Sequence, residues 1–126
     1  MNEKKPTVLF VDDEPLILKA IENSLFRQRK VWSMKFAISA EEALEILGEN
    51  SCTVIVADMR MPGMDGIQLL HEVKEKYSDI IRIMLTGTAD IQTAIDAINT
   101  GEVFRFLSKP TTTKTLQDTI EAALKQ

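Results

Sequence analysis

The chain has 126 residues, 44% of them hydrophobic, with 19 acidic against 15 basic residues and a net charge of −4. That supplies apolar material for one core and one domain, residues 1–126, and the acidic balance argues against nucleic acid or an anionic membrane as its direct partner. Cys52 is the single cysteine and His71 the single histidine, which excludes an internal disulfide and a zinc site, while the polar stretch Met1–Pro6 carries no signal-peptide or membrane-span pattern, so the cytoplasm is the expected compartment.

The first apolar run, Val8 to Val11, predicts a buried β-strand and ends at Asp12 and Asp13. A helix follows from Pro15, with Leu16, Ile17, Ala20, Ile21, Ser24 and Leu25 at helical spacing and expected to face the sheet. Met34, Phe36 and Ile38 alternate with polar residues, as a half-exposed edge strand does. Ser39-Ala-Glu-Glu42 is a capping-box pattern that opens a second helix, with Gly48 expected to close it. Val54 to Ala57 is the third strand and ends at Asp58; a third helix capped by Asp65 carries Ile67, Leu69, Leu70 and Val73. Ile80 to Leu85 is a fourth strand and ends at Thr86, and a fourth helix begins near Asp90 with Ile91, Ala94, Ile95 and Ile98 before Gly101. Val103 to Leu107, interrupted by Arg105, is a second edge strand that leads to Lys109, and a last helix carries Leu116, Ile120, Ala123 and Leu124.

Alternating strands and helices specify an α/β domain. With the second and fifth strands at the edges, right-handed crossovers give a doubly wound, flavodoxin-like parallel sheet of order 2-1-3-4-5, with five helices on two faces. The functional crevice of such a sheet lies beyond the carboxyl ends of its strands. Asp12, Asp13, Asp58, Thr86 and Lys109 all fall there.

Taken singly, each of these has an ordinary account: a helix cap, a turn, a solvated loop cation. Together they make a chemistry. Carboxylates gathered without matching cations repel one another, so the cluster calls for a hard cation or shifted protonation, and Mg2+ suits oxygen ligands completed by water and phosphate. Asp13 and Asp58 are the expected direct ligands, Asp12 acts directly or through water, and the loop after Asp58 offers a backbone carbonyl. Lys109 and Thr86 supply the positive charge and hydroxyl that a phosphoryl group requires, and Asp58 can act as nucleophile to form an acyl phosphate.

Over essentially its whole length the chain resembles the receiver domains of bacterial two-component response regulators. The matching stretches are Val8-Leu-Phe-Val-Asp-Asp-Glu-Pro15, Val54-Ile-Val-Ala-Asp-Met-Arg-Met-Pro-Gly-Met-Asp-Gly66, Met84-Leu-Thr-Gly87 and Phe104-Arg-Phe-Leu-Ser-Lys-Pro110. The resemblance implies Asp58 as phosphoacceptor, Asp12 and Asp13 as the acidic pair, the Arg60 backbone carbonyl as a further Mg2+ ligand, Thr86 and Lys109 on the phosphoryl oxygens, and a Lys109–Pro110 peptide that is often cis. It implies a domain that is no enzyme toward other substrates, yet catalyses its own phosphorylation and slow autodephosphorylation. A sensor histidine kinase or phosphotransfer protein is the implied donor, with docking near Leu16, Lys19 and Pro110–Thr112. The phosphorylated form is expected to act on an output domain or partner, or on a second copy of itself, through the face made by the fourth helix, fifth strand and fifth helix, where Arg105 lies. His71 is not a phosphodonor by this reading, and Met59, Met61 and Met64 are packing residues.

The implied switch joins Thr86 to Phe106, which stands where the family commonly has tyrosine; without a hydroxyl, Phe106 signals by burial alone. The family's rate-setting positions for dephosphorylation fall on Arg60 and Thr88, with Arg60 either covering the phosphoryl group or holding water near it. The chain resembles most closely receivers joined to cyclic-di-GMP phosphodiesterase domains or to transcription regulators, so it reads as a stand-alone receiver or the N-terminal part of a longer regulator. A magnesium-dependent phosphatase would need an acid-base aspartate where Arg60 stands, a pseudo-receiver would lack an acidic residue or the lysine, and a flavin-binding domain would need a phosphate-cradling loop after the first strand.

Overall fold

The computed structural model describes residues 5–126; residues 1–4, the start of the polar Met1–Pro6 stretch, lie outside the described residues. Five parallel strands, β1 (Thr7–Val11), β2 (Ser33–Ala37), β3 (Val54–Asp58), β4 (Ile81–Thr86) and β5 (Arg105–Ser108), form one sheet in the order β2-β1-β3-β4-β5. The helices between and after them are α1 (Pro15–Ser24), α2 (Ala40–Glu49), α3 (Gly66–Lys76), α4 (Ile91–Asn99) and α5 (Thr113–Leu124). This is the flavodoxin-like order expected from the pattern of apolar runs. Among the described residues no helix is long and apolar enough to cross a membrane.

The strands' two-residue period sorts their side chains into two cores. Leu9, Val11, Ile55, Ala57 and Met84 face one cluster with residues of α2, α3 and α4, whereas Val8, Phe10, Val54, Val56, Ile83 and Leu85 face the other with residues of α1 and α5. Burial on both faces explains why β1 and β3 read as unbroken hydrophobic runs. The edge strands are less covered: Arg105 and Ser108 of β5 are exposed, and Ser33 to Phe36 of β2 are half-buried.

Three of the details that depart from the expectations concern α1, the turn after it and α2. On α1 the residues facing the sheet are Leu18 and Leu25, with Ile21 between them, while Leu16 is 84% exposed and Ala20 and Ser24 lie in solvent. Ile21 and Leu25 face the sheet as expected, but the residue that joins them there is Leu18, three before Ile21, and not Leu16, because spacings of three and four residues allow both stripes and packing chose one. Burial of each leucine stabilises the fold by about 1.5–3 kcal/mol. A 3-10 turn at Phe26–Lys30 then carries the chain to Trp32, a core residue 4% exposed that the pattern before β2 concealed.

The third departure is Gly48, which does not end α2: the helix runs to Glu49 and Asn50 follows in extended backbone. At the other end Ser39 caps the helix as expected, its Oγ accepting from Glu42 N–H at 3.0 Å, but the box does not close on Ser39: Glu42 Oε1 accepts from Ile38 N–H, one residue earlier, at 2.9 Å. α3 opens with a full capping box between Asp65 and Gln68, and its first residue, Gly66, is pressed against the end of β3. A Cβ there would lie on the Asp58 carbonyl oxygen and 2.8 Å from Met59 Cα, so only glycine allows the loop after β3 to close this tightly.

The two glycines should therefore respond oppositely to alanine. A Cβ on Gly48 meets open space, and Gly48→Ala should stabilise by about 0.5 kcal/mol through helix propensity and unfolded-state entropy. Gly66→Ala should destabilise by about 3 kcal/mol through overpacking. Urea unfolding measures both, and equal effects at the two sites would contradict the assigned geometry.

Candidate functional site

Register brings the functional side chains to one end of the sheet. Val11 pairs with Ala57, Asp58 with Leu85, and Thr86 with Ser108, so the residues that end β1, β3, β4 and β5 stand in adjacent columns. Backbone bonds continue each pairing one step past the strand: Asp12 N–H to Ala37 O at 3.1 Å, Met59 N–H to Leu85 O at 2.9 Å, and Lys109 N–H to Thr86 O at 2.8 Å. The side chains are thus set by the sheet itself rather than by free loops.

Asp12 is wholly buried, Asp58 is 5% exposed and Asp13 is half-buried. One carboxylate oxygen from each lies within 4.8 Å of the other two. Lys109 reaches into the cluster, its Nζ donating to Asp58 Oδ1 at 3.0 Å and standing 3.7 Å from Asp12 Oδ2, too far for a hydrogen bond. Asp12 Oδ1 accepts from Glu14 N–H at 2.9 Å, but Asp12 Oδ2 is buried with no hydrogen-bond partner.

One cation among three carboxylates leaves the site short of positive charge. Burial, and then the charges of Asp58 and Asp13, push the Asp12 carboxyl above its ordinary value of 3.8 despite the Glu14 N–H and Lys109. Burial would lower Lys109, yet its bond to Asp58 and the charges of Asp58 and Asp12 outweigh that and leave it raised, so it stays cationic. An acid raised in the fold contributes stability below its unfolded pKa and loses it as pH rises through the folded value, so at neutral pH Asp12 is a cost to the metal-free protein. The unpartnered Asp12 oxygen, the all-oxygen donor set and the charge deficit fit a hard divalent cation.

The remaining predicted residues take separate places. Thr86 is buried at the end of β4, its hydroxyl donating to Gly87 O at 3.2 Å and contacting Met59 Sδ at 3.7 Å, so it does not bond to Asp58. Phe106 is half-buried and packs on the core cluster that contains Met59, Met84, Ala94 and Ala97. Thr88 is exposed on a 3-10 turn, Thr88–Asp90, that joins β4 to α4. His71 is exposed on α3, its Nδ1 3.2 Å from Glu102, and Met59 and Met61 are buried packing residues. The Lys109–Pro110 peptide is cis.

Arg60 shows a feature that the sequence did not disclose. Its guanidinium, largely exposed, is paired with Asp90: Nε and Nη2 donate to the two Asp90 oxygens, at 2.7 and 2.5 Å. The bond to Asp90 holds the Arg60 guanidinium above its ordinary pKa and the Asp90 carboxyl below its own. An aspartate before a helical pattern reads as a cap, and local spacing carries no sign of a partner thirty residues away.

The chain that carries this site matches a known family. Residues 8–121 match the model of the response regulator receiver domain. The chain is 34% identical to the hydrogenase transcriptional regulatory protein HoxA of Cupriavidus necator across 98% of its own length and 25% of that protein's. It is 34% identical to the transcriptional regulatory protein GlrR of Escherichia coli, across its whole length and 28% of the relative's, so it spans about a quarter of these relatives. Among solved structures, the signal receiver domain of an HD domain-containing protein from Pseudomonas fluorescens superposes with a TM-score of 0.89 at 32% identity, covering 97% of this chain and 96% of that one. A receiver domain from Clostridium thermocellum superposes at 0.87 and 34%, covering 95% and 94%. The chain therefore belongs to the response regulator receiver domains, the phosphoacceptor modules of two-component signalling.

Proposed function

We propose that Asp58 is the residue that accepts the phosphoryl group, from a sensor histidine kinase or a phosphotransfer protein. The observation that carries this reading is the Lys109 ammonium, 3.0 Å from a nearly buried Asp58 carboxylate beside the unpartnered Asp12 oxygen. Asp12, Asp13 and Asp58, with the Arg60 backbone carbonyl, would hold Mg2+, whose charge would offset that on the transferring oxygens.

A carboxylate oxygen of Asp58 attacks phosphorus in line with the bond to the donor. The phosphorus–nitrogen bond of phosphohistidine breaks, and its electrons pass to the imidazole nitrogen, which takes a proton from solvent. Lys109 holds its charge on the phosphoryl oxygens throughout, so positioning and electrostatics supply the acceleration. Thr86 then turns its hydroxyl from Gly87 O to a phosphoryl oxygen, and Phe106 moves into the space released beside Met84, signalling by packing alone. Slow autodephosphorylation is attack by water on the same phosphorus, with Arg60 and Thr88 at the approach.

Donor docking uses a cavity of about 470 Å³ between α1 and the loop before α5, lined by Ile17, Ile21, Leu85, Pro110 and Leu116. The output, an attached domain or a partner, or a second copy in a phosphorylation-dependent dimer, engages the face of α4, β5 and α5. Residues 1–126 form the one receiver domain, and transcription control is the output that the regulatory relatives favour. The domain works in the cytoplasm, where kinases make phosphohistidine from ATP.

Incubation with acetyl phosphate and Mg2+ should add the mass of one phosphoryl group, lost with chelator or in Asp58→Ala. Phe106→Ala should keep that gain while shrinking the phosphorylation-induced NMR shifts of β5 and α5; loss of the gain itself would count against its switch role. Mg2+ at about ten times its dissociation constant should stabilise by about 1.4 kcal/mol, which raises Tm by roughly 5 °C. Asp12→Asn should raise the metal-free Tm at neutral pH and abolish the Mg2+ gain, and an undiminished gain would remove Asp12 from the metal site.

A further inference from the structure

Asp90 stands immediately before the first turn of α4, where an aspartate ordinarily accepts the N–H of the second or third helical residue. Ser39, Asp65 and Thr112 do this for α2, α3 and α5, each accepting from the third residue's N–H. Asp90 does not: α4, like α1, has no side-chain cap, since both Asp90 oxygens are turned onto Arg60 and its backbone, at φ −111° and ψ 12°, ends the 3-10 turn instead of being extended as at the three capped helices. A residue suited to cap a helix is instead held in an ion pair.

That pair is open to exchange. The Arg60 side chain is 77% exposed, and an ion pair with one solvated partner is worth little net. Arg60 lies two residues beyond Asp58, and a guanidinium binds a phosphoryl group with the same two-pronged geometry it uses for a carboxylate, but against a larger charge. Asp90 in turn lies four residues after Thr86, at the end of the 3-10 turn that joins β4 to α4.

We propose that Asp90 is a positioning residue with two stations: bonded to Arg60 while Asp58 is a free carboxylate, and, with the end of the 3-10 turn opened to extended backbone, capping α4 once a phosphoryl group on Asp58 draws Arg60 away. The second half of this rests on Asp58 as phosphoacceptor; the first does not. Phosphorylation is then read at α4 in two ways, through the packing of Phe106 behind Thr86 and through the first turn of the helix itself. Asp90 also competes with the phosphoryl group for Arg60, which links the lifetime of the phosphorylated state to the order of α4.

Solvent-exchange NMR of the Thr93 amide, the third residue of α4, tests the proposal. In Arg60→Ala without any phosphoryl donor, Asp90 is free to cap, and exchange at Thr93 should slow by about fivefold relative to wild type. Arg60→Ala/Asp90→Ala should lose that protection. Wild type with Mg2+ and beryllofluoride, a phosphoryl mimic, should show the protection of Arg60→Ala. Thr93 exchange in Arg60→Ala equal to or faster than wild type would overturn the proposal, as would beryllofluoride that shifts the Asp58 signals without slowing Thr93. Failure of the phosphoacceptor reading is separable, since the Asp58 signals would then stay fixed while the Arg60→Ala arm still decides where Asp90 goes.

Discussion

Three carboxylates share one end of the sheet with a single ammonium, and the partial neutralisation of Asp58 by Lys109 at 3.0 Å is what makes their burial tolerable. Uncompensated charge in a protein interior costs far more than a typical packing contact contributes. The fold meets this cost structurally. Two apolar layers hold the strands in register, the register delivers Asp12, Asp58, Thr86 and Lys109 to adjacent columns, and backbone bonds past the strand ends keep them there. Asp12 remains the exception, with one buried oxygen unpartnered, and that residual demand is where a divalent cation fits.

The same geometry ties the site to distant surfaces. Lys109 N–H is bonded to Thr86 O, so β4 and β5 end in one linked unit, and Thr86 contacts Met59, the residue after Asp58. Gly66 presses α3 against the Asp58 carbonyl. Arg60 joins that loop to the start of α4 through Asp90. A change of charge at Asp58 therefore meets three mechanical neighbours, in α3, in the Thr86–Lys109 unit and in α4; of the two helices, α3 starts on its own capping box and α4 on an end with no side-chain cap. This makes α4 the element with most to gain from a local rearrangement.

The sheet order and the five strand-end residues were legible because their signals are local: unbroken apolar runs mark doubly covered strands, and the polar residue that ends each run marks the crevice. The caps of α2 and α3 were legible for the same reason. What stayed hidden depended on partners remote in sequence. Two stripes of α1 have helical spacing, and only the shape of the opposing sheet selects Leu18 over Leu16. Gly48 resembles a helix end until the chain after it is seen to stay helical for one more residue. Asp90 looks like a cap, and its capture by Arg60 is a tertiary event that no spacing rule announces.

The central claim is that Asp58, and neither of its acidic neighbours, carries the phosphoryl group. Borohydride reduces an acyl phosphate to the alcohol, which marks the modified aspartate as homoserine, so peptide mass spectrometry of the phosphorylated and reduced protein locates the acceptor directly. Homoserine at residue 58 alone is the predicted result. Homoserine at residue 12 or 13, or none despite a confirmed phosphoryl mass gain, would contradict the account.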